Sequence, residues 1–265
     1  PAKENVLFGL PNVVCTPHLG ASTTEAQENV ALQVAEQMSD YLVHGAVSNA
    51  LNMASVTADE APRLAPYLKL AEQLGSFAGQ ITETGLQAVS VDYEGEAAEL
   101  NTRPLTACML MGLLRPLLTS VNMVSAPLIA RERDIDVRET RRDRAPDYQT
   151  LVRLTVTTEQ RRRSVTGTLF GGGKPRIVEI EDIPLEAEVS SHMLFVRNND
   201  KPGLIGRLGT MLGDAGINIA SFHLGRKGEG ADAIALVAID QPVPDALMDQ
   251  ICVLPDVVRV RALRF

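Results

Sequence analysis

Apolar positions recur along this chain with two periods, and the changes of period divide it. Ala26, Val30, Val34 and Met38 fall at helical spacing, and Tyr41 and Leu42 extend the stripe. Ser22 followed by Glu25 reads as a capping box at the start of that helix, and Gly45 stands where it should end. Upstream, Val13, Val14 and Cys15 form a short apolar run halted at Thr16 and Pro17, which predicts a buried strand ending in a loop. One strand and one amphipathic helix cannot cover each other's apolar faces. Residues 1–50 are therefore expected to be the tail of another domain, with Pro1, which is no initiator, lying mid-chain.

Residues 45–57 read as a connector. A helix is predicted over 62–81, with Leu64, Tyr67, Leu74 and Phe77 on its apolar side, and a strand over 88–93. The stretch 105–121 is densely apolar and 123–132 is helical in pattern, with Pro116 and Pro127 blurring the limits. Alternating, β-branched strands are predicted at 151–157, 164–170 and 176–180, the last two joined by a turn containing Gly171, Gly172 and Gly173. The unit 51–188 is thus α+β. In 189–265 the order is strand 193–197, helix 203–215, strands 217–224 and 233–239, helix 244–252 and strand 257–263. That is βαββαβ, the ferredoxin-like split arrangement, with an antiparallel sheet covered on one face. Gly206, Gly209 and Gly213 line up on its first helix, which predicts close helix packing there.

An apolar fraction of 45% over 265 residues is enough for more than one core. A net charge of −8 argues against nucleic acid, whose binders need clustered positive charge. The stretch 131–163 leans basic, but its arginines alternate with Glu132, Asp134, Asp136, Glu139 and Asp143, so it reads as a solvated ion-pair face. The three cysteines, Cys15, Cys108 and Cys252, lie far apart, which predicts buried thiols in a reduced, cytoplasmic protein without metal or disulfide. No apolar run is long enough to cross a bilayer.

Chemistry concentrates first around His18. An imidazole just past a strand end, fixed by Pro17 and followed by Leu19, Gly20 and Ala21, can exchange a proton beside a flat cofactor that approaches the backbone. Taken alone, the pattern fits a surface loop histidine equally well. The whole segment PNVVCTPHLGASTTEAQENVA, however, resembles the catalytic-histidine segment of the D-2-hydroxyacid dehydrogenase family, most closely its phosphoglycerate dehydrogenase branch. The resemblance implies a Rossmann-type catalytic domain with His18 as general acid/base, and Leu19, Gly20 and Ala21 beside the nicotinamide of NAD. The family's carboxylate partner for this histidine, its substrate-binding arginine and its Gly-rich dinucleotide loop have no counterpart here. The glycines at 171–173 join two strands and open no helix, as a dinucleotide loop must.

A second concentration is the loop Asn198, Asn199, Asp200, Lys201, Pro202, Gly203, Leu204. It places free N–H groups at a helix start, suited to a carboxylate, while Asp200 can pair an ammonium and Asn198 and Asn218 offer donors and acceptors. Ordinary turn chemistry accounts for Asn198 and Asp200 as well. With Gly216, Ile217, Asn218 and Ile219, the loop resembles the ligand signature of the ACT domain, which implies L-serine bound across a paired-domain interface through Asn198, Asp200, Gly203, Leu204 and Asn218. The stretch 167–178 resembles the intervening domain of long dehydrogenases of this branch, which also occurs in iron–sulfur serine dehydratases. That resemblance implies an anionic effector, for which Lys174 and Arg176 are the candidates, with Arg161, Arg162 and Arg163 nearby. A solvated, charged strand edge is the plainer reading of those two residues.

The combined expectation is a regulatory and oligomerising segment, inactive by itself, of an NAD-dependent dehydrogenase of serine synthesis. Its fold class is α/β and α+β multidomain, in three parts: 1–50, 51–188 and 189–265. Self-association through the last two parts and an amino-acid effector are expected, with neither nucleic acid nor membrane as partner. Two competing readings are an iron–sulfur serine dehydratase, which needs clustered thiolates, and a free-standing amino-acid sensor, which needs no histidine segment.

Overall fold

The computed structural model describes residues 4–143, 147–171 and 173–265. Pro1, Gly172 of the predicted turn, and residues 144–146 of the basic stretch lie outside the described residues. The chain divides into two compact units, Pro1–Ala50 with Ser55–Ala61, and Leu51–Ala54 with Pro62–Phe265.

The first unit is built on helix α1 (Thr24–His44). Thr23, not Ser22, caps it: its Oγ accepts from the Ala26 N–H at 3.1 Å. The Ser22 N–H donates to the Leu19 carbonyl at 3.0 Å in a turn before the helix, and the cap falls one residue later than predicted. Gly45 ends the helix in the left-handed region at φ 71°, its N–H reaching the Tyr41 carbonyl. No residue of α1 is buried, and its Val30, Val34 and Met38 stripe is exposed. The predicted strand at Val13 to Cys15 does not form, and Val14 is exposed. Among the described residues no neighbouring strand offers its backbone a hydrogen-bonding partner, and an isolated strand has nothing to hold it. The expectation of buried thiols fails too. Cys15 and Cys252 are exposed, and only Cys108 is buried, where desolvation pushes its thiol up to about 12. Residues 45–57 are more than a connector, since Val47 and Val56 form an antiparallel bridge with Ala46 and Val56 buried.

The second unit contains helix α2 (Ala61–Gln80), strand β1 (Leu86–Gly95), helices α3 (Thr102–Leu114) and α4 (Ser125–Glu132), then strands β2 (Asp136–Arg142), β3 (Thr150–Thr158), β4 (Arg162–Phe170), β5 (Lys174–Ile180) and β6 (Ile183–Ala187). These strands form one sheet in the order β2-β1-β3-β4-β5-β6, parallel between β1 and β2 and antiparallel elsewhere. Helices α2 and α3 meet through glycine. A methyl on Gly112 would stand 2.5 Å from the Glu72 carbonyl oxygen and 2.9 Å from the Ser76 nitrogen.

Strand β2 lies inside the stretch read as a solvated ion-pair face, and Arg138 pairs there with Asp136 at 2.6 Å, both side chains exposed. Its residues are mostly exposed, which suits an edge strand, but Glu139 also anchors it inward. Thr106 and Thr102 donate to the two Glu139 oxygens at 2.6 and 2.8 Å, and the buried Tyr93 hydroxyl lies 2.8 Å from Thr106. Burial raises the Tyr93 phenol well above its ordinary range, so it stays a donor at every physiological pH.

The remaining elements are β7 (His192–Asn199), α5 (Leu204–Asp214), β8 (Ile219–Arg226), β9 (Asp232–Ile239), α6 (Asp245–Cys252) and β10 (Val257–Arg264). The strands form an antiparallel sheet in the order β10-β7-β9-β8, the ferredoxin-like arrangement predicted. Its core gathers Leu194 and Val196 of β7, Leu204, Leu208 and Leu212 of α5, and Ile251 of α6. The glycine stripe of α5 does not serve close packing within the chain, because a methyl on Gly206, Gly209 or Gly213 would meet nothing within 4 Å. Helix α2 is joined to this sheet by specific contacts. Phe77 meets Phe195 edge to face at 5.8 Å, and Gln80 exchanges two hydrogen bonds with the Arg264 backbone.

Candidate functional site: the loop at the head of helix α5

Strand β7 delivers Asn198 into the ladder between β9 and β10, where its side chain is 3% exposed. The Asn198 amide nitrogen donates to the Asn199 carbonyl at 2.9 Å, while its Oδ1 is buried without a partner. An orphaned buried oxygen costs about 1–3 kcal/mol, and few native structures retain one without a reason. The chain then turns. Gly203 takes φ 101°, which its missing Cβ permits, and starts α5 with no side-chain cap. The first N–H groups of α5 are thereby left open. Asn198, Asp200, Gly203, Leu204, Leu224 and Arg226 line a cavity of about 340 Å³ at this point.

The loop is held from both sides. The Asn199 N–H reaches the Asp256 carbonyl at 2.9 Å, Lys201 pairs with the Asp256 carboxylate at 2.8 Å, and the Asp200 N–H reaches the Ala231 carbonyl at 2.8 Å. The Asp200 carboxylate accepts from Arg226 at 2.8 Å and from the Gly230 N–H at 3.2 Å. Those two bonds, the Arg226 one first, hold its carboxyl below the usual carboxylate range. A depressed acid contributes fully above its ordinary pKa and loses the contribution as pH falls through the lowered value. The Gly230 amide resonance is therefore expected to hold steady down to about pH 4 and to move only below it. A midpoint at or above that value would contradict the pairing.

Asn218 is not brought to this loop. It donates to the Asp240 carboxylate at 2.8 Å, at the end of the sheet where Ile219 pairs with Ile239. Arg226, by contrast, pairs with Ala233 at the opposite end of the same ladder. His18, Leu19, Gly20 and Ala21 are all exposed in the first unit, and among the described residues the His18 ring makes no hydrogen bond or ion pair. Lys174 and Arg176 sit on β5, which is flanked by β4 and β6 and is no edge. Arg176 pairs with Glu188 at 2.9 Å and lies over the Phe170 ring, whereas Lys174 is exposed. Sequence reasoning missed Arg226 and Leu224, since nothing local says which strand the loop will face. Among the described residues no three His, Cys, Asp or Glu side chains converge as metal ligands, and no helix is long and apolar enough to cross a membrane.

Family models match the chain in two places, a D-3-phosphoglycerate dehydrogenase intervening domain over residues 63–181 and an ACT domain over residues 192–256. The chain carries these two domains in tandem. The first match spans α2 through β5, and the second spans β7 through α6, including the loop that forms the cavity. The chain is 40% identical over 253 residues to a D-3-phosphoglycerate dehydrogenase of Synechocystis, covering 95% of this chain and 46% of that protein. It is 36% identical to one of Bacillus subtilis over 264 residues, covering 99% and 50%. With one of Methanocaldococcus jannaschii the identity is 35% over 258 residues, covering 97% and 49%. The chain spans about half the length of these curated relatives.

Proposed function

We propose that this chain is the regulatory and oligomerising part of an NAD-dependent D-3-phosphoglycerate dehydrogenase, and that its ACT loop holds L-serine as an effector. The observation that carries the reading is the cavity at the head of α5, lined by Asn198, whose buried Oδ1 has no partner. An ammonium group would satisfy it, with Asp200 as the charged neighbour, while the ligand carboxylate takes the open N–H groups at Gly203 and Leu204. The distance of Asn218 from this loop within one protomer supports a site shared by two copies, each giving its loop to one cavity and its Asn218 to the other. In the whole enzyme, NAD would accept hydride during oxidation of 3-phosphoglycerate to 3-phosphohydroxypyruvate. There His18 would take the hydroxyl proton, with Leu19, Gly20 and Ala21 beside the nicotinamide.

Complementation tests the shared site. Asp200→Ala and Asn218→Ala proteins should each bind L-serine weakly, but after mixing and re-equilibration the mixed dimer holds one cavity with both residues intact. Calorimetry is expected to show a tight class of sites appear in the mixture. A mixture that binds no better than its components would place both residues in one protomer's site, or in none.

A further inference from the structure

Lys201 and Arg226 are the cations that line the cavity at the head of α5. Lys201 is committed to the Asp256 carboxylate at 2.8 Å. Arg226 is engaged only in part. Its Nη1 donates to Asp200 Oδ2 at 2.8 Å, and among the described residues the rest of the guanidinium makes no hydrogen bond. The same holds for Asp200. The Gly230 N–H reaches that same Oδ2 at 3.2 Å, and among the described residues no donor reaches Oδ1. An acceptor and a forked donor, fixed to each other, thus both keep a free edge in one cavity.

Strand packing sets Arg226 in this place. Leu224 and Arg226 stand two residues apart on β8, hence on one face of it, and both line the cavity. Gly225 between them belongs to the other face, and there β8 meets β6. A methyl on Gly225 would collide with the Pro184 carbonyl oxygen and stand 2.9 Å from Ile183 Cγ2. The missing Cβ lets the two strands close, and that contact fixes the backbone that presents Arg226.

We propose that Arg226 reads the carboxylate of the bound amino acid and so sets the ligand class of this cavity: zwitterionic α-amino acids, to the exclusion of plain amines and plain carboxylates. With its ammonium at Asp200 Oδ1, the ligand lies antiparallel to the Asp200–Arg226 pair, and each of the four charges has opposite neighbours. One ligand carboxylate oxygen takes the N–H groups at the head of α5. The other takes the free edge of the guanidinium, whose forked donors suit a carboxylate. An amine leaves that edge unmatched, and a carboxylate without its ammonium stands beside Asp200 with nothing positive between them. The proposal rests on the reading of this cavity as an amino-acid site.

Calorimetry with L-serine and L-serinamide, at about pH 6 where both carry the ammonium, tests the proposal. Serinamide keeps the ammonium and the hydroxymethyl group and replaces the carboxylate with a neutral amide. The wild-type protein is expected to prefer serine by at least about tenfold, and Arg226→Gln to lose about tenfold of that preference. Arg226→Lys keeps the charge without the fork and should lose about threefold. The Arg226 side chain is 55% exposed, so the melting temperature of Arg226→Gln should match the parent's. If it does not, Arg226→Lys alone carries the comparison. A residue that only steadied Asp200 would weaken both ligands alike when replaced. Serine binding to the wild type with an unchanged preference in the variants would overturn the role of Arg226 and leave the effector reading in place. No serine binding to the wild type would overturn both.

Discussion

Replacing Gly75 with alanine is expected to lower the melting temperature of the unit containing the two sheets by about 4–8 °C. A Cβ built at Gly75 falls far inside contact with the Met109 carbonyl oxygen and stands 2.9 Å from the Leu113 nitrogen. The arrangement is reciprocal, because Gly112 of α3 meets the Glu72 carbonyl of α2 in the same way. The obstructing atoms are backbone, fixed in their own helices, so relief requires the helices to separate. Around them Phe77, Leu74, Leu105 and Met109 are fully buried and would all lose contact. Overpacking of this kind costs about 1–3 kcal/mol and sometimes more, offset by about 1 kcal/mol of helix propensity gained over glycine. Because the clash is with fixed backbone the upper end applies, and a net loss of about 2 kcal/mol in a domain of this size gives the stated shift. Gly209→Ala on α5 supplies the opposite sign, since its methyl would meet nothing within 4 Å. Scanning calorimetry on the two variants compares them directly. Equal melting temperatures would mean that α2 and α3 do not touch at glycine.

Asp200→Ala is expected to weaken L-serine binding by about 10-fold to 100-fold, with little change in melting temperature. The ligand ammonium would lose its charged acceptor, and a charge-assisted contact is worth roughly that factor. Arg226 and the Gly230 N–H would lose their acceptor at the same time, leaving an unpaired guanidinium at the cavity wall. Both consequences act against a bound amino acid. The fold itself depends on the loop's backbone bonds to Asp256 and Ala231, which the substitution leaves in place. Asn198→Ala should lower affinity as well, but it also removes the cost of the orphaned oxygen in the free protein. It is therefore expected to raise stability slightly while it reduces binding.

The ACT unit was legible in the sequence because its strands alternate cleanly and its turns announce themselves with Pro202, Gly203, Gly216 and Pro244. Strand β2 was not legible, because both its faces carry polar residues and its hydrophobic signal is a single valine, Val137. What makes it a strand is pairing with β1 and the reach of Glu139 to Thr102 and Thr106, partners more than thirty residues away. Strand β6 is five residues long and contains Pro184, both of which hide a strand from pattern reading. The predicted strand at Val13 to Cys15 failed for the converse reason, since local apolar character does not supply a neighbouring ladder. At the candidate site, Asn198, Asp200 and Gly203 were readable from one contiguous loop. The contact of Arg226 with Asp200, and the pairing of Arg197 with Arg259 on the neighbouring strands β7 and β10, come only through sheet register and packing. Spacing along the chain carries no trace of either.

Titrating L-serine into this protein by calorimetry, with no NAD present, tests the central claim most directly. The loop residues and the head of α5 lie wholly within the ACT domain, so binding should be saturable and should not require the nucleotide. The wild-type protein is expected to bind with a measurable heat, and Asp200→Ala to bind about 10-fold to 100-fold more weakly. No binding to the wild type, or equal affinity in Asp200→Ala, would contradict the account.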